Sequence, residues 1–146
     1  MTNLCKDGER QMKEIKVDLG NRSYPIFIGE RSLGQFPAML KLYSTVKSWV
    51  VITDKNVEKL FAPELCASMQ SEGLETTLCV VAAGEKSKSL RIYEGVLSTL
   101  MEKRVARDWG VIALGGGVIG DLAGFVAATY MRGLPLIQIP TCLLYT

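Results

Sequence analysis

Apolar and polar residues change rhythm along this chain, and the changes mark out its elements. From Glu14 to Leu19 the two kinds alternate, the period of a strand with one face covered. Gly20-Asn21-Arg22-Ser23 is turn chemistry, and Tyr24 to Ile28 is extended again, so the spacing predicts a β-hairpin. Leu33, Phe36, Leu40 and Tyr43 recur at a helical period, which tolerates Pro37 only in a first turn. Trp49 to Thr53 is continuously apolar, the mark of a strand covered on both faces, and it ends in Asp54. A short helix is predicted over 56–61 and a second over 63–71, stopped by Gly73. Thr76 to Val81 reads as a strand, 84–89 as a polar loop, and Leu90 to Arg104 as an amphipathic helix. Its apolar face carries Ile92, Val96, Leu97, Leu100 and Met101. A buried strand over Val111–Leu114, a glycine turn, a helix over Leu122–Met131 and a strand over Leu136–Ile139 complete the pattern.

Strands alternating with helices imply βαβ units. The expected fold is α/β: a Rossmann-like, mostly parallel sheet with flanking helices and an N-terminal β-hairpin. The expected division is a flexible polar segment over 1–13 and one α/β domain over 14–146. In such sheets ligands bind beyond the C-terminal ends of the strands. Those ends are Asp54, the 82–88 loop, Gly115–Asp121 and Pro140–Cys142.

Composition narrows the classes. At 146 residues with 48% apolar content the chain can bury a core and is not a disordered segment. A net charge of +2 without a basic run argues against a nucleic-acid partner. Cys5, Cys66, Cys79 and Cys142 form no CxxC pair, which suits a reducing, cytoplasmic setting and offers no zinc motif. Histidine is absent, so the commonest general base and metal ligand is missing. The polar N-terminus is unlike a secretory signal, and the uncharged run over 133–146 is too short to span a membrane. A soluble chain is expected. The apolar ending Cys142-Leu-Leu-Tyr-Thr146 reads as an element cut short.

The chemistry concentrates in Gly115-x-Gly117-x-x-Gly120, set between a strand and a helix. Glycine permits positive φ and close approach of a ligand to the main chain. The following helix start offers free N–H groups to a phosphate or pyrophosphate. The motif lies in the last βα unit, and Pro140 stands where a dinucleotide site usually has an acid. Asp54 is then the candidate for a ribose diol, with N-capping of the next helix as its alternative role. Between Trp109 and Thr146 only Asp121 and Arg132 are charged, in a segment otherwise built for burial. Asp121 would favour a first-turn dipole, and Arg132 would either close the helix beside Gly133 or grip a phosphate or carboxylate. The two are too far apart along one helix to pair with each other. Gly84-Glu85-Lys86-Ser87-Lys88 is either a solvated loop or a cofactor contact. Met39, Met69, Met101 and Met131 are expected to fill the core.

These residues together resemble one family. Ala113 to Thr141, taken as a whole, is similar to 3-dehydroquinate synthase. Val17–Gly29, Ile52–Val57 and Gly84–Leu90 match its other signatures in order, so the resemblance runs from about Glu14 to Leu144. It implies that Asp54 and Asn56 hold the adenosine part of NAD, and that Glu85 and Lys88 flank the cofactor. Gly116, Gly117, Val118, Gly120 and Asp121 would cradle the pyrophosphate and its neighbourhood. Thr141 and Cys142 would touch the nicotinamide half, and Arg132 would bind substrate. The family converts 3-deoxy-arabino-heptulosonate 7-phosphate to 3-dehydroquinate and phosphate with NAD and a zinc or cobalt ion. It is expected as a homodimer. Three departures stand out: Ala83 replaces an Asp, Cys142 replaces the second Thr of a pair, and the chain stops at Thr146. The family's helical metal-binding domain follows that point, so this chain is expected to be the NAD-binding half, inactive alone. The rivals are another sugar-phosphate cyclase, a polyol dehydrogenase of similar fold, or a non-catalytic fragment that pairs through its uncovered core.

Overall fold

A computed structural model describes residues 12–30 and 32–141. Most of the flexible segment expected over 1–13 lies outside the described residues, as do Cys142 and the ending through Thr146.

The centre is a four-stranded parallel sheet. Its strands are β3 (Ser48–Asp54), β4 (Glu75–Val81), β5 (Gly110–Gly115) and β6 (Leu136–Pro140), in the order β4-β3-β5-β6. β3 and β5 are the continuous apolar runs; β3 is buried from Trp49 to Thr53 and β5 through its length, as central parallel strands are. β6, at an edge, alternates exposed and half-buried.

Helices cover both faces. α1 (Phe36–Tyr43) and α2 (Lys55–Ser71) pack on Trp49, Val51, Ile112 and Leu114. α3 (Leu90–Glu102) and α4 (Gly117–Thr129) pack on Val50, Ile52, Val111 and Ala113. Successive side chains of a strand point to opposite faces, so each central strand feeds both layers. The antiparallel hairpin β1 (Lys13–Val17) and β2 (Tyr24–Ile28) stands apart from this sheet. It meets α1 through Phe27, whose ring centre lies 5.5 Å from that of Tyr43, and through the Tyr43 hydroxyl, 3.3 Å from Glu14 Oε1.

The α/β architecture and the hairpin are as expected. Several elements differ. The hairpin is not half-buried on an apolar face: Ile15, Tyr24, Ile26 and Ile28 are exposed. Leu33–Gln35 is a 3-10 turn, and α1 begins after it with Pro37 in its first turn. The two helices expected over 56–71 are one, running through Pro63. Ala62, Leu65 and Met69 give it a continuous buried face, and that packing overrides the local break. Met101 and Met131 are not core residues, at 60% and 45% exposed. Only Met69 of the four is fully buried; Met39 is half-buried.

The helix expected over 122–131 starts five residues earlier and ends two earlier. Gly117 and Gly120 therefore belong to the helix and not to a turn. Beyond Thr129 the chain turns through a 3-10 segment in which Met131 and Arg132 have positive φ, at 51° and 69°. Gly133 closes the sequence with φ 109°.

Candidate functional site

The chain enters the sheet at β3, adds β4 on one side, then crosses to add β5 on the other. The strand order reverses between β3 and β5, where an open α/β sheet forms a crevice at its C-terminal edge. Thr53 pairs with Leu114, so Asp54 and Gly115 leave adjacent strands at one level. Gly115 in turn pairs with Pro140. The N–H of Thr141 donates to the Gly115 carbonyl at 3.0 Å, which brings Thr141 beside the glycine loop.

Asp54 caps α2. Its Oδ1 accepts from the N–H of Asn56 at 2.8 Å and of Val57 at 3.1 Å. Both donors converge on one oxygen, and Oδ2 has no partner among the described residues. Capping and ribose binding are therefore compatible: one oxygen holds the helix and the other is left for a hydroxyl.

The glycine loop works differently from expectation. No residue from Gly115 to Gly120 has positive φ. Glycine is needed there for space. A Cβ on Gly115 would lie 2.7 Å from Cβ of the buried Ile119, and one on Gly120 would lie 3.2 Å from Gln138 Oε1. α4 can then start directly over the end of β5. Its N-cap, Gly116, supplies no side chain to the helix end. The Gly120 N–H bonds back to Gly116, leaving the N–H groups of Gly117, Val118 and Ile119 as the open first turn. That is an anion site made of backbone, at the positive end of a 13-residue helix.

The 84–89 loop is anchored. Gly84 takes φ 99°, Glu85–Ser87 form a 3-10 turn, and the buried Ser87 hydroxyl donates to the Ala82 carbonyl. Ser89 caps α3 by accepting from Ile92 N–H at 3.3 Å. From this loop Lys88 Nζ lies 2.8 Å from Asp121 Oδ2 and 3.5 Å from Glu85 Oε2. The hydrogen bond to Asp121 leads the effects that hold the Lys88 ammonium above its ordinary range; desolvation opposes it, and the charges of Asp121 and Glu85 add to it. Asp121 thus finds its partner, and it does so from the second turn of α4 and not the first. Asp121 and Arg132 are both exposed, so neither is the buried charge that composition suggested.

Arg132 is not brought to the crevice. α4 runs back along the sheet for 13 residues, roughly 20 Å, and Arg132 follows its far end, next to the start of β6. It does not share a helical face with Asp121. Cys142 lies outside the described residues. Sequence reasoning passed over Ser87 and Thr53. Ser87 is the buried anchor of the loop, and Thr53 is a buried hydroxyl with no partner among the described residues. A polar residue closing an apolar strand beside Asp54 was the available signal for Thr53. A recess of about 470 Å³ bordered by Cys66, Gln70, Glu75 and Trp109 opens at the start of β4, the opposite end from the crevice. Among the described residues no three His, Cys, Asp or Glu are grouped to hold a metal ion.

A family model described as 3-dehydroquinate synthase N-terminal matches residues 78–146. The chain is 46% identical over 133 residues to the 3-dehydroquinate synthase of Desulforamulus reducens, covering 91% of this chain and 37% of that protein. It is 43% identical over 131 residues to that of Enterococcus faecalis, covering 90% and 37%. The chain thus spans about 37% of the length of the curated relatives it matches. A 2-deoxy-scyllo-inosose synthase solved with carbaglucose-6-phosphate, NAD+ and Co2+ has the same fold, with a TM-score of 0.76 at 20% identity over 88% of this chain and 35% of that one. A 2-epi-5-epi-valiolone synthase from Streptomyces hygroscopicus, solved with NAD+ and Zn2+, gives a TM-score of 0.62 at 29% identity over 73% and 30%. The sequence is therefore similar to the N-terminal part of 3-dehydroquinate synthase, on a fold it shares with 2-deoxy-scyllo-inosose synthase and 2-epi-5-epi-valiolone synthase.

Proposed function

We propose that this chain is the NAD-binding part of a 3-dehydroquinate synthase. The observation that carries the reading is the convergence at one strand-order reversal of Asp54, with Oδ2 open, and the side-chain-free start of α4. In this reading the pyrophosphate lies on the N–H groups of Gly117 and Val118, with Gly116 and Gly120 keeping the approach clear. Asp54 and Asn56 take the adenosine ribose. Glu85, Lys88 and Asp121 border the cofactor, and Thr141 and Cys142 stand on the nicotinamide side.

The reaction we assign to the whole enzyme is loss of phosphate from 3-deoxy-arabino-heptulosonate 7-phosphate and closure of the carbocycle of 3-dehydroquinate, a carbon–oxygen lyase activity. NAD supplies transient oxidation of a substrate hydroxyl, which acidifies the neighbouring C–H. The chain's own part is to bind and orient that cofactor. A divalent metal does not fit the described residues: the sequence has no histidine, and no acidic or thiol cluster among those residues replaces it. Arg132 is the assigned substrate residue, yet α4 carries it away from the crevice, so a phosphate it grips does not sit over the glycine loop of the same chain. We expect a cytoplasmic homodimer for the whole enzyme.

Calorimetric titration with NAD tests the cofactor reading. We expect weak saturable binding, and no heat at millimolar NAD would sink it. A phosphate-release assay with the heptulosonate phosphate and added zinc should show no turnover by the 146-residue chain. Metal-dependent turnover would show that the catalytic set is present after all.

A further inference from the structure

β4 is an edge strand without the features that close an edge. It is seven residues long, as long as β3 beside it, and the two pair one to one from Ser48 with Glu75 to Asp54 with Val81. Among the described residues nothing pairs with its other side. Proline, lysine and bulges blunt such edges, and β4 has none of them; its single charge, Glu75, stands at its very start. The other edge strand, β6, ends in Pro140. Leu78 is half-buried and Val80 is 36% exposed, so apolar side chains flank the free backbone groups of β4. The same edge begins in the recess at the end of the sheet opposite the crevice. Thr76 and Thr77 point to opposite faces, so the recess wraps round the edge, from Cys66 and Gln70 of α2 on one face to Trp109 on the other. We propose that β4 and this recess form one docking site for an extended peptide, which adds a strand to the sheet and places an arginine or lysine side chain in the recess.

Each half of the site calls for its own part of the ligand. A row of free N–H and C=O groups along a straight strand is matched by another extended backbone, which gives affinity with little regard to sequence. The recess adds the selection. At about 470 Å³ it has room for a long side chain, and Glu75 is the one charged group in its lining. Glu75 Oε2 accepts from Ser48 Oγ at 3.1 Å, and Oε1 has no partner among the described residues. No basic side chain forms an ion pair with Glu75 among them either. Trp109, half-buried, lays its indole against the same space. A carboxylate with one free oxygen beside an indole suits a cation, by ion pairing and by attraction to the ring face. Arginine fits best, because a planar guanidinium stacks on the indole while it pairs with the carboxylate. An acidic side chain would meet Glu75 with no cation in the lining to offset it.

The test is calorimetric titration of the 146-residue chain with the synthetic peptide acetyl-Thr-Val-Arg-Val-Thr-amide, together with hydrogen exchange of the β4 amides. Saturable binding is expected. At a peptide concentration ten times its Kd, the outward-facing amides of β4 should exchange about tenfold more slowly. The same peptide N-methylated on alternate residues keeps its side chains, loses its ladder donors, and should not bind. Replacing its arginine by glutamate should weaken binding at least about tenfold, since attraction becomes repulsion. Glu75→Gln should weaken the arginine peptide by roughly three- to fivefold, the upper range for one exposed ion pair, at an unchanged melting midpoint because Glu75 is exposed. Equal binding of the N-methylated peptide would mean a side-chain contact without strand addition. Equal binding of the glutamate peptide would mean a site without charge selection. Protection on β6 in place of β4 would move the site to the other edge, and a dimer that protects β4 without peptide would make a second copy its occupant. Any of these results, or no saturable binding, overturns the inference.

Discussion

Asp54 has two oxygens in two situations, and substitution can separate them. Oδ1 caps α2 by accepting from two backbone donors. Asn caps about as well as Asp, whereas Ala loses roughly 1 kcal/mol. Asp54→Asn should therefore keep the denaturation midpoint while weakening NAD binding, because an amide is a poorer double acceptor for a ribose diol. Asp54→Ala should lower both. Urea denaturation alongside NAD titration checks the pair. Equal NAD affinity in wild type and Asn variant would leave Asp54 as a cap only. Gly110 makes a different kind of demand. A Cβ there would collide with Cζ3 of Trp49, which is fully buried. The indole has no free end to move, so Gly110→Ala should destabilise by about 1–3 kcal/mol or more. The expected signature is a lower urea midpoint at unchanged slope.

At the scale of elements, α2 and α4 show where packing overrules local chemistry. Pro63 lacks the N–H that a helix interior uses, and an interior proline opposes a helix by up to about 3 kcal/mol. The helix persists because Ala62, Leu65 and Met69 bury one face against Trp49, Val51 and their neighbours. Pro63 itself is exposed, so Pro63→Ala removes the break without opening a cavity. That variant should raise the thermal midpoint, and a fall would mean that the proline shapes a bend the packing requires. α4 shows the converse. Four glycines in or before its first turn predict a glycine turn, but Gly115 is crowded by Ile119 and Gly120 by Gln138. The helix begins early because small residues let it sit tightly over β5 and β6.

Over the whole molecule, the layers were legible and the edges were not. Trp49–Thr53 and Val111–Leu114 announced buried parallel strands, and the amphipathic run after Ser89 announced α3. The crevice followed from strand ends alone, since Asp54, Gly115 and Pro140 reach one level. The Lys88–Asp121 pair was not legible, because 33 residues separate partners that meet only once β4 and β5 flank β3. Arg132 stands beyond the end of α4 and not in its last turn, because positive φ at Met131 stops the helix after Thr129, and no local break in the sequence marks that stop. The assembled fold also sets its pH response. Burial pushes up the Cys79 thiol, against lowering by Lys103 and Thr99, and burial pushes up the Tyr130 phenol, whose hydroxyl donates to Val105 at 3.0 Å. Both groups then hold their protons in the fold at pH values where the unfolded chain releases them. Stability from these groups is complete below the unfolded values, about 8.5 for the thiol and 10 for the phenol, and is lost as pH rises through the raised folded values. The urea midpoint should fall progressively from about pH 9 upward. Tyr130→Phe should be less stable at pH 7, having left the Val105 carbonyl without its donor, yet should lose less between pH 9 and 11 than the wild type. Parallel losses in the two proteins over that range would exclude Tyr130 as a source of the alkaline slope.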